Sequence, residues 1–252
     1  LACEYTYFAD MPDWNPAEIL GNSPNVLDCS LYDYLITNNA WHEARTSQGY
    51  YNVNPAKLVE VFGSKPYVNV RCTFNSFVPA SISGGLREKL VNFYMDKLRK
   101  HPQLQDKVEF EILYTCYDIS FEERSKELIE YGFSGEEVEE LKSSLVKLTK
   151  DLILNFKANV ESDMGSVFSM ESQRGDIRDF LGSSQDLSPI DLINKAKLLL
   201  EECRSKGTVQ FSRLARLAFI AKALLKSMVC KGVITQDYYD ELLNSISTVA
   251  TK

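Results

Sequence analysis

The feature that most constrains the fold is a row of apolar residues at helical spacing in the second half of the chain. Six of them recur every three or four positions, namely Val138, Leu141, Leu145, Leu148, Leu152 and Phe156. Residues spaced in this way share one face of an α-helix, and that face has to be covered by the rest of the protein. We therefore predict a long helix from near Gly135 to about Phe156, with this row in the core.

Two serines mark predicted helix starts, and one of them, Ser134, directly precedes the long helix. The sequences Ser120-Phe-Glu-Glu123 and Ser134-Gly-Glu-Glu137 each fit a capping box. In this motif the serine oxygen and the glutamate three residues later bind backbone N–H groups that are left free at the start of a helix. We predict that one helix begins at each of these serines.

The last third of the chain is predicted to contain three more helices. Ser188 and Pro189 supply an N-cap and a proline at the first helical position, for a helix that ends near Gly207. Two helices follow, separated at Gly232, and Thr235 caps the last of them.

The first 120 residues show mixed patterns. Apolar spacing over residues 27–50 predicts one helix, and a second helix is predicted over 85–100. Residues 68–74 alternate between apolar and polar and include β-branched side chains, and residues 108–116 do much the same. Both patterns are typical of strands, which can pair with each other across the intervening helix.

The predicted fold class is mainly α with a small β portion (α+β). A mixed N-terminal part, residues 1–119, is followed by a helical bundle, residues 120–252, and the two can also form one continuous domain. At 252 residues and 44% apolar content, the chain is long enough to build a substantial core.

The composition argues against several classes of function. The formal charge of −7 disfavours nucleic acid as a partner, because that binding normally requires clustered Lys and Arg. No run approaches the roughly 18 apolar residues that cross a bilayer, so no membrane contact is expected. The amino end lacks a secretory signal. Six cysteines without a Cys-x-x-Cys pair suggest reduced thiols in a cytoplasmic protein.

An anion site is the sharpest local hypothesis. If a helix begins after Gly207 and Thr208, its free N–H groups point outward, and Arg213 and Arg216 lie three residues apart on one face near that positive end. A phosphate or carboxylate group fits there. The alternative is that both arginines pair with acids at the edge of the core and hold helices together.

Arg71 is a second candidate for contact with a substrate. In a strand over residues 68–74 it shares the polar face with Asn69 and Thr73. The alternative is an ordinary solvated face, because an antiparallel sheet commonly leaves one side in water.

The sequence Asp13-Trp-Asn-Pro-Ala-Glu18 supplies three further candidates, Asp13, Asn15 and Glu18, which can face a cleft toward neighbouring domains. The structural explanation is that Asn15 is extended before Pro16, that Pro16 begins a short helix, and that Glu18 lies in its first turn. Trp14 is then an apolar anchor.

Other kinds of site are disfavoured. His42 and His101 are the only histidines and lie far apart in the sequence, so no metal site is predicted. The chain contains no phosphate-binding Gly-x-x-x-x-Gly-Lys-Ser/Thr loop, no Gly-x-Gly-x-x-Gly fingerprint after a strand and no Gly-x-Ser-x-Gly nucleophile motif.

Two distant stretches carry a resemblance to a known family. They are Asp10-Met-Pro-Asp-Trp-Asn-Pro-Ala-Glu-Ile-Leu-Gly21 and Lys206-Gly-Thr-Val-Gln-Phe-Ser-Arg-Leu-Ala-Arg-Leu-Ala-Phe-Ile-Ala-Lys222. Residues 66–79, 106–111 and 248–249 extend the likeness. The chain resembles the phosphoenolpyruvate synthase-like family, the multidomain relatives of pyruvate phosphate dikinase, over almost its whole length.

The resemblance implies a central segment between a nucleotide-binding domain and a mobile phosphohistidine domain. Such a module contributes acceptor-substrate surface, uses no cofactor itself and is inactive alone, while ATP and Mg²⁺ belong to the parent enzyme. The implied partners are the flanking domains and a small anionic substrate. Arg71, Arg213 and Arg216 are the expected anion clamps, because phosphoryl transfer depends on cations. The alternative is a noncatalytic scaffold that holds the flanking domains apart.

Overall fold

In the computed structural model of the chain, residues 1–11, 14–183 and 188–246 are described, without the side chains of residues 171–183. The strands are β1 (Phe8–Ala9), β2 (Val59–Phe62) and β3 (Lys65–Asn69). The described helices are α1 (Pro16–Leu20), α2 (Val26–Tyr32), α3 (Ala40–Ser47), α4 (Val70–Ser76), α5 (Gly84–Lys100), α6 (Val108–Glu111), α7 (Phe121–Arg124), α8 (Lys126–Tyr131), α9 (Gly135–Leu154), α10 (Phe156–Ser183), α11 (Pro189–Cys203), α12 (Val209–Cys230) and α13 (Gln236–Ser245). The fold is mainly α with one small sheet, which confirms the predicted class.

The three strands form an antiparallel sheet in the order β1-β3-β2. Phe62 pairs with Lys65, which leaves Gly63 and Ser64 for the turn between β2 and β3. Both turn residues have a positive φ, 55° and 65°. Two consecutive residues in this left-handed region are typical of the type I′ turn, whose twist matches that of paired strands.

The predicted strand over residues 68–74 is wrong beyond its second residue, because β3 ends at Asn69 and α4 begins. The Asn69 side chain accepts a hydrogen bond from the backbone N–H of Cys72 at 3.1 Å, which is a helix N-cap. Val70, Cys72 and Phe74 are all fully buried. When a short helix is buried on most sides, apolar periodicity does not separate it from a buried strand.

The predicted strand over residues 108–116 is also wrong. It starts with the short helix α6 and continues as a buried irregular segment. The Tyr94 hydroxyl accepts from the backbone N–H of Tyr114 at 3.0 Å, and the Tyr50 hydroxyl donates to the carbonyl of Thr115 at 2.8 Å. Tyrosine side chains therefore satisfy backbone groups that a neighbouring strand would otherwise bind.

Residues 27–50 do not form the single predicted helix. α2 passes into a π-helical segment, Asp33–Thr37, and α3 begins only after Asn39, whose φ of −145° lies outside the helical region. The indole N–H of Trp41 donates to the carbonyl of Thr37 at 2.7 Å. This side chain satisfies a carbonyl beside the break, so the interruption is compatible with burial.

One of the two predicted capping boxes is present. Ser134 accepts from the backbone N–H of Glu137 at 3.1 Å, and the Glu137 carboxylate accepts from the N–H of Ser134 at 2.8 Å. The box at Ser120 is wrong, although α7 does begin after it. Ser120 has φ −94° and ψ 0°, not the extended backbone of an N-cap, so its side chain makes no capping hydrogen bond.

The predicted helix boundaries in the last third of the chain are confirmed, except for the predicted helix end near Gly207. Ser188 caps α11 in a complete capping box, as predicted. The predicted end near Gly207 is wrong, because a π-helical segment, Arg204–Thr208, connects α11 directly to α12. The break after α12 at Gly232, with a φ of 68°, and the cap of α13 by Thr235 are confirmed.

The predicted helix over residues 85–100 is confirmed by α5, and the apolar row of α9 does face the core. Leu141 and Leu145 are fully buried, whereas Phe156 is exposed beyond the end of α9. The main buried cluster joins residues from both halves of the chain, for example Tyr94 and Leu145. None of the helices in the described part of the chain combines the length and apolar character that a membrane crossing requires.

Candidate functional site

A cavity of about 620 Å³ lies between α1, the end of α3, α6 and α12. Its aromatic lining consists of Trp14, Phe77, Phe110, Phe211 and Phe219. Its charged lining consists of Arg45, Lys107, Arg216 and Lys222 with Glu18, Asp106 and Glu109. The stretches 10–21 and 206–222, almost two hundred residues apart, therefore meet at one cavity.

The segment before α1 brings Trp14 to the cavity. Pro16 is the first residue of α1 and Glu18 lies in its first turn, as predicted. Asn15 is not extended as expected, since its φ of 37° and ψ of 59° are left-handed, a region that asparagine tolerates better than most residues. Its side-chain amide donates to the Glu18 carboxylate. Asp13, the third candidate of this motif, lies outside the described residues.

Arg216 is one of two deeply buried cations of the cavity, since it and Arg45 each have 6% of their surface exposed. Its guanidinium donates to the carboxylate of Glu109 and, at 3.2 Å, to the hydroxyl of Thr115. The Nε–H has no hydrogen-bond partner among the described residues. Burial lowers the pKa of Arg216, but nearby Tyr50 and Glu109 outweigh it and raise the pKa above its usual value.

Arg45 and Gln48 line the same cavity, and sequence reasoning missed both. The guanidinium of Arg45 lies over the ring of Phe77 at 3.9 Å, and that of Arg216 lies 5.4 Å from the same ring. Two buried guanidinium groups thus share one aromatic ring, a cation–π arrangement. The only local signal was the spacing of Trp41 and Arg45, which places them on one face of α3.

The free helix start on which the predicted anion site at Gly207 and Thr208 depends is absent, because α12 continues the helical backbone of α11 and the π-helical segment. Thr208 has helical φ and ψ, and the N–H of Val209 donates to the carbonyl of Arg204 inside a continuous helical run. The N–H of Val209 is therefore not free to bind an anion. Of the two arginines assigned to this site, only Arg216 lines the cavity.

Arg213 points to a different neighbour. Its guanidinium donates through two nitrogens to both carboxylate oxygens of Asp163, a side chain that is almost fully buried. This paired geometry is the strong form of an arginine–carboxylate contact. It ties α12 to α10, which is the structural alternative considered for this residue.

Arg71 also lies away from the cavity. It belongs to α4, not to a strand, and it donates to the carbonyls of Ala2 at 3.0 Å and Leu1 at 2.8 Å. The buried side chain of Asn75 holds the same segment, because it accepts from the N–H of Ala2 and donates to its carbonyl. Arg71 therefore fixes the amino-terminal segment against α4.

A second cavity, of about 800 Å³, lies on the other side of α6. Glu109 and Phe110 line both cavities, so α6 is the wall between them. Burial raises the pKa of the Cys116 thiol in the second cavity to about 11, which makes it a poor nucleophile at neutral pH. The hydroxyl of Ser120, also in this cavity, has no hydrogen-bond partner among the described residues.

Among the described residues, no group of three or more His, Cys, Asp or Glu side chains is arranged to hold a metal ion. Comparisons of this chain with protein-family models, with curated proteins and with solved structures gave no match.

Proposed function

We propose that this chain is the central module of a phosphoenolpyruvate synthase-like, ATP-dependent phosphotransferase. Its role is to contribute acceptor-substrate surface, while the flanking nucleotide-binding and phosphohistidine domains supply the chemistry. The observation that carries the proposal is that the two stretches with the resemblance, around Trp14 and around Arg216, line the same cavity.

The chemistry of the cavity is suited to a small anion. Among the described residues, four cations and three acids line it, and Arg216, which is as buried as Arg45, keeps an Nε–H without a partner there. A buried guanidinium interacts more strongly with an anion than an exposed one, because less water screens the charge. Arg213 and Arg71 take no part, since Asp163 and the amino-terminal backbone bind them.

The proposal is tested by thermal unfolding of the purified chain with inorganic phosphate, phosphoenolpyruvate, pyruvate or ATP at millimolar concentration. A ligand that binds the folded state raises the unfolding temperature by mass action. We expect a concentration-dependent rise with at least one of the three small anions. ATP is expected to raise the unfolding temperature no more than inorganic phosphate does, because the ATP site belongs to another domain.

Two variants connect binding to the cavity. Lys222→Ala removes an exposed cation of the lining, and Arg216→Lys keeps the buried charge while changing its geometry. Both are expected to weaken the anion-dependent rise. Lys147→Ala, an exposed lysine of α9 away from the cavity, is the matched control and should keep it. No rise with any small anion, or an equal rise in the Lys222→Ala variant, contradicts the proposal.

The alternative of a noncatalytic scaffold has one observation in its favour. α11 has no buried residue, and Ile190, Ile193 and Leu198 are all exposed. Apolar side chains grouped on a helix surface are typical of a face that a partner covers. If this is the main role, Ile193→Ser should abolish docking of the flanking domains, and the cavity should bind none of the small anions.

A further inference from the structure

The size of the first cavity does not match a very small ligand. At about 620 Å³ it falls within the roughly 300–1,000 Å³ of sites that hold ligands of drug-like size. A three-carbon acid would fill only a small part of it. The remaining space would be water against aromatic walls, which is unfavourable for apolar surface.

Three apolar side chains that line the cavity are exposed to solvent and not packed into the core. Phe211 is 66% exposed, Ile19 is 58% exposed and Phe219 is 39% exposed. All three line the cavity, and they come from opposite sides of it, α1 and α12. A ligand with an apolar body would remove these surfaces from water.

The apolar surface leads directly to the buried charge. Phe211, Ala215 and Phe219 follow one another at intervals of four residues, so they share one face of α12. The guanidinium of Arg216 lies 5.4 Å from the ring of Phe77 and 5.5 Å from that of Phe219. An anionic head at Arg216 would therefore place the rest of its molecule along the row of Phe211 and Phe219.

We infer that the natural ligand of this cavity joins one anionic group, a carboxylate or a phosphate, to an apolar body of about the size of an aromatic ring. The inference rests on the proposed function, because it names the class of acceptor that the same cavity takes. Arg216 binds the anionic group, and Ile19, Phe211 and Phe219 cover the apolar body. A three-carbon acid lacks the second part and binds weakly.

Titration calorimetry with three matched compounds tests the inference. The compounds are 3-phenylpropanoate, propanoate, which lacks the ring, and 3-phenylpropan-1-ol, which lacks the charge. We expect 3-phenylpropanoate to bind about tenfold or more tightly than either of the others, a factor that corresponds to one ring contact or one charged contact. Phenyl phosphate against inorganic phosphate repeats the comparison for the other anion.

The outcomes separate the inference from the proposed function. If propanoate binds as tightly as 3-phenylpropanoate, the inference is overturned and the anion site stands. If the neutral alcohol binds as tightly as the acid, the anionic head is wrong and both ideas fail. Both also fail if none of these compounds binds.

A variant with little influence on folding locates the ring. Phe211→Ala removes an exposed side chain that lines the cavity, so the fold should tolerate the change. Because the ring of the ligand loses an apolar contact, the affinity for 3-phenylpropanoate should fall about fivefold, while propanoate binding stays unchanged. Phe168→Ala, which removes a 59% exposed phenylalanine of α10 outside the cavity, is the control. Equal effects of the two substitutions overturn the assignment of the ring to this wall.

Discussion

The guanidinium of Arg216 donates a hydrogen bond to the carboxylate of Glu109, and this ion pair joins α12 to α6 over 107 positions of sequence. Both side chains are largely buried. Because Glu109 lines both cavities and Arg216 lines the first, the pair belongs to the wall between them. The same contact therefore affects the stability of the fold and the charge available to a ligand.

The first prediction concerns this pair. Glu109→Gln keeps the shape of the side chain but leaves the buried charge of Arg216 without an acid. Removing one partner of a buried pair costs about 3–5 kcal/mol, and the retained amide oxygen should keep the loss in the lower part of that range. Urea unfolding of both proteins measures the difference.

An exposed ion pair serves as the control for this experiment. Lys157 and Glu161 are 3.9 Å apart on α10, and both side chains are mostly exposed. Glu161→Ala should change the free energy of unfolding by less than about 0.5 kcal/mol. A loss in Glu109→Gln no larger than this would show that the buried pair adds little to stability.

A helix can be predicted from the sequence when one of its sides is polar and faces water, and it is missed when most of its sides are buried. The row containing Leu141 and Leu145 identified α9, because its other side carries polar residues that face water. The sequence of α4 is indistinguishable from that of a strand because Val70, Cys72 and Phe74 are buried in a helix with few solvated positions. The cap at Asn69 is the remaining local signal for a helix in this segment.

The candidate site was accessible to sequence reasoning only in part. Asn15, Glu18 and Arg216 lie in unusual stretches, and these stretches do line one cavity. Arg45 lies on an ordinary helix face and Gln48 directly follows α3, and only the tertiary packing of α3 against α12 brings them to the cavity. Local pattern cannot supply such long-range contacts, because they depend on how the helices pack.

The second prediction separates Arg71 from the site. Arg71→Ala removes two hydrogen bonds to the backbone of Leu1 and Ala2. The free energy of unfolding should fall by about 1–2 kcal/mol, since bonds from a charged donor contribute more than neutral ones. Anion binding measured by calorimetry should be unchanged. If Arg71→Ala weakened anion binding without lowering the free energy of unfolding, Arg71 would be a substrate contact.

The third prediction compares two serines that look alike in the sequence. Ser134→Ala removes a capping hydrogen bond at the start of α9 and should destabilise the protein by about 1 kcal/mol. Ser120→Ala removes a buried hydroxyl that has no hydrogen-bond partner among the described residues, so it should be close to neutral. Thermal unfolding of both variants makes the comparison. Equal destabilisation would mean that Ser120 caps α7 after all.

The fourth prediction concerns the pH dependence of stability through His42. This ring is 6% exposed and lies against the indole of Trp41, with ring centroids 4.0 Å apart. Burial, helped by the nearby charge of Arg45, lowers the pKa of His42 from 6.5 to about 4. Between pH 4 and pH 6.5, His42 is therefore protonated in the unfolded chain and neutral in the folded protein.

The sign follows from that difference. A histidine with a lowered pKa in the folded state contributes its full share of stability above pH 6.5, and the share is lost as the pH falls toward 4. The loss amounts to about 2–3 kcal/mol.

Acidic side chains titrate in the same pH range, so we compare the wild type with His42→Gln by urea unfolding at pH 7 and pH 4. His42→Gln should lose less stability than the wild type by about this amount, and the exposed His101→Gln serves as the control. Parallel losses in the wild type and His42→Gln would mean that His42 is protonated in the folded state as readily as in the unfolded chain.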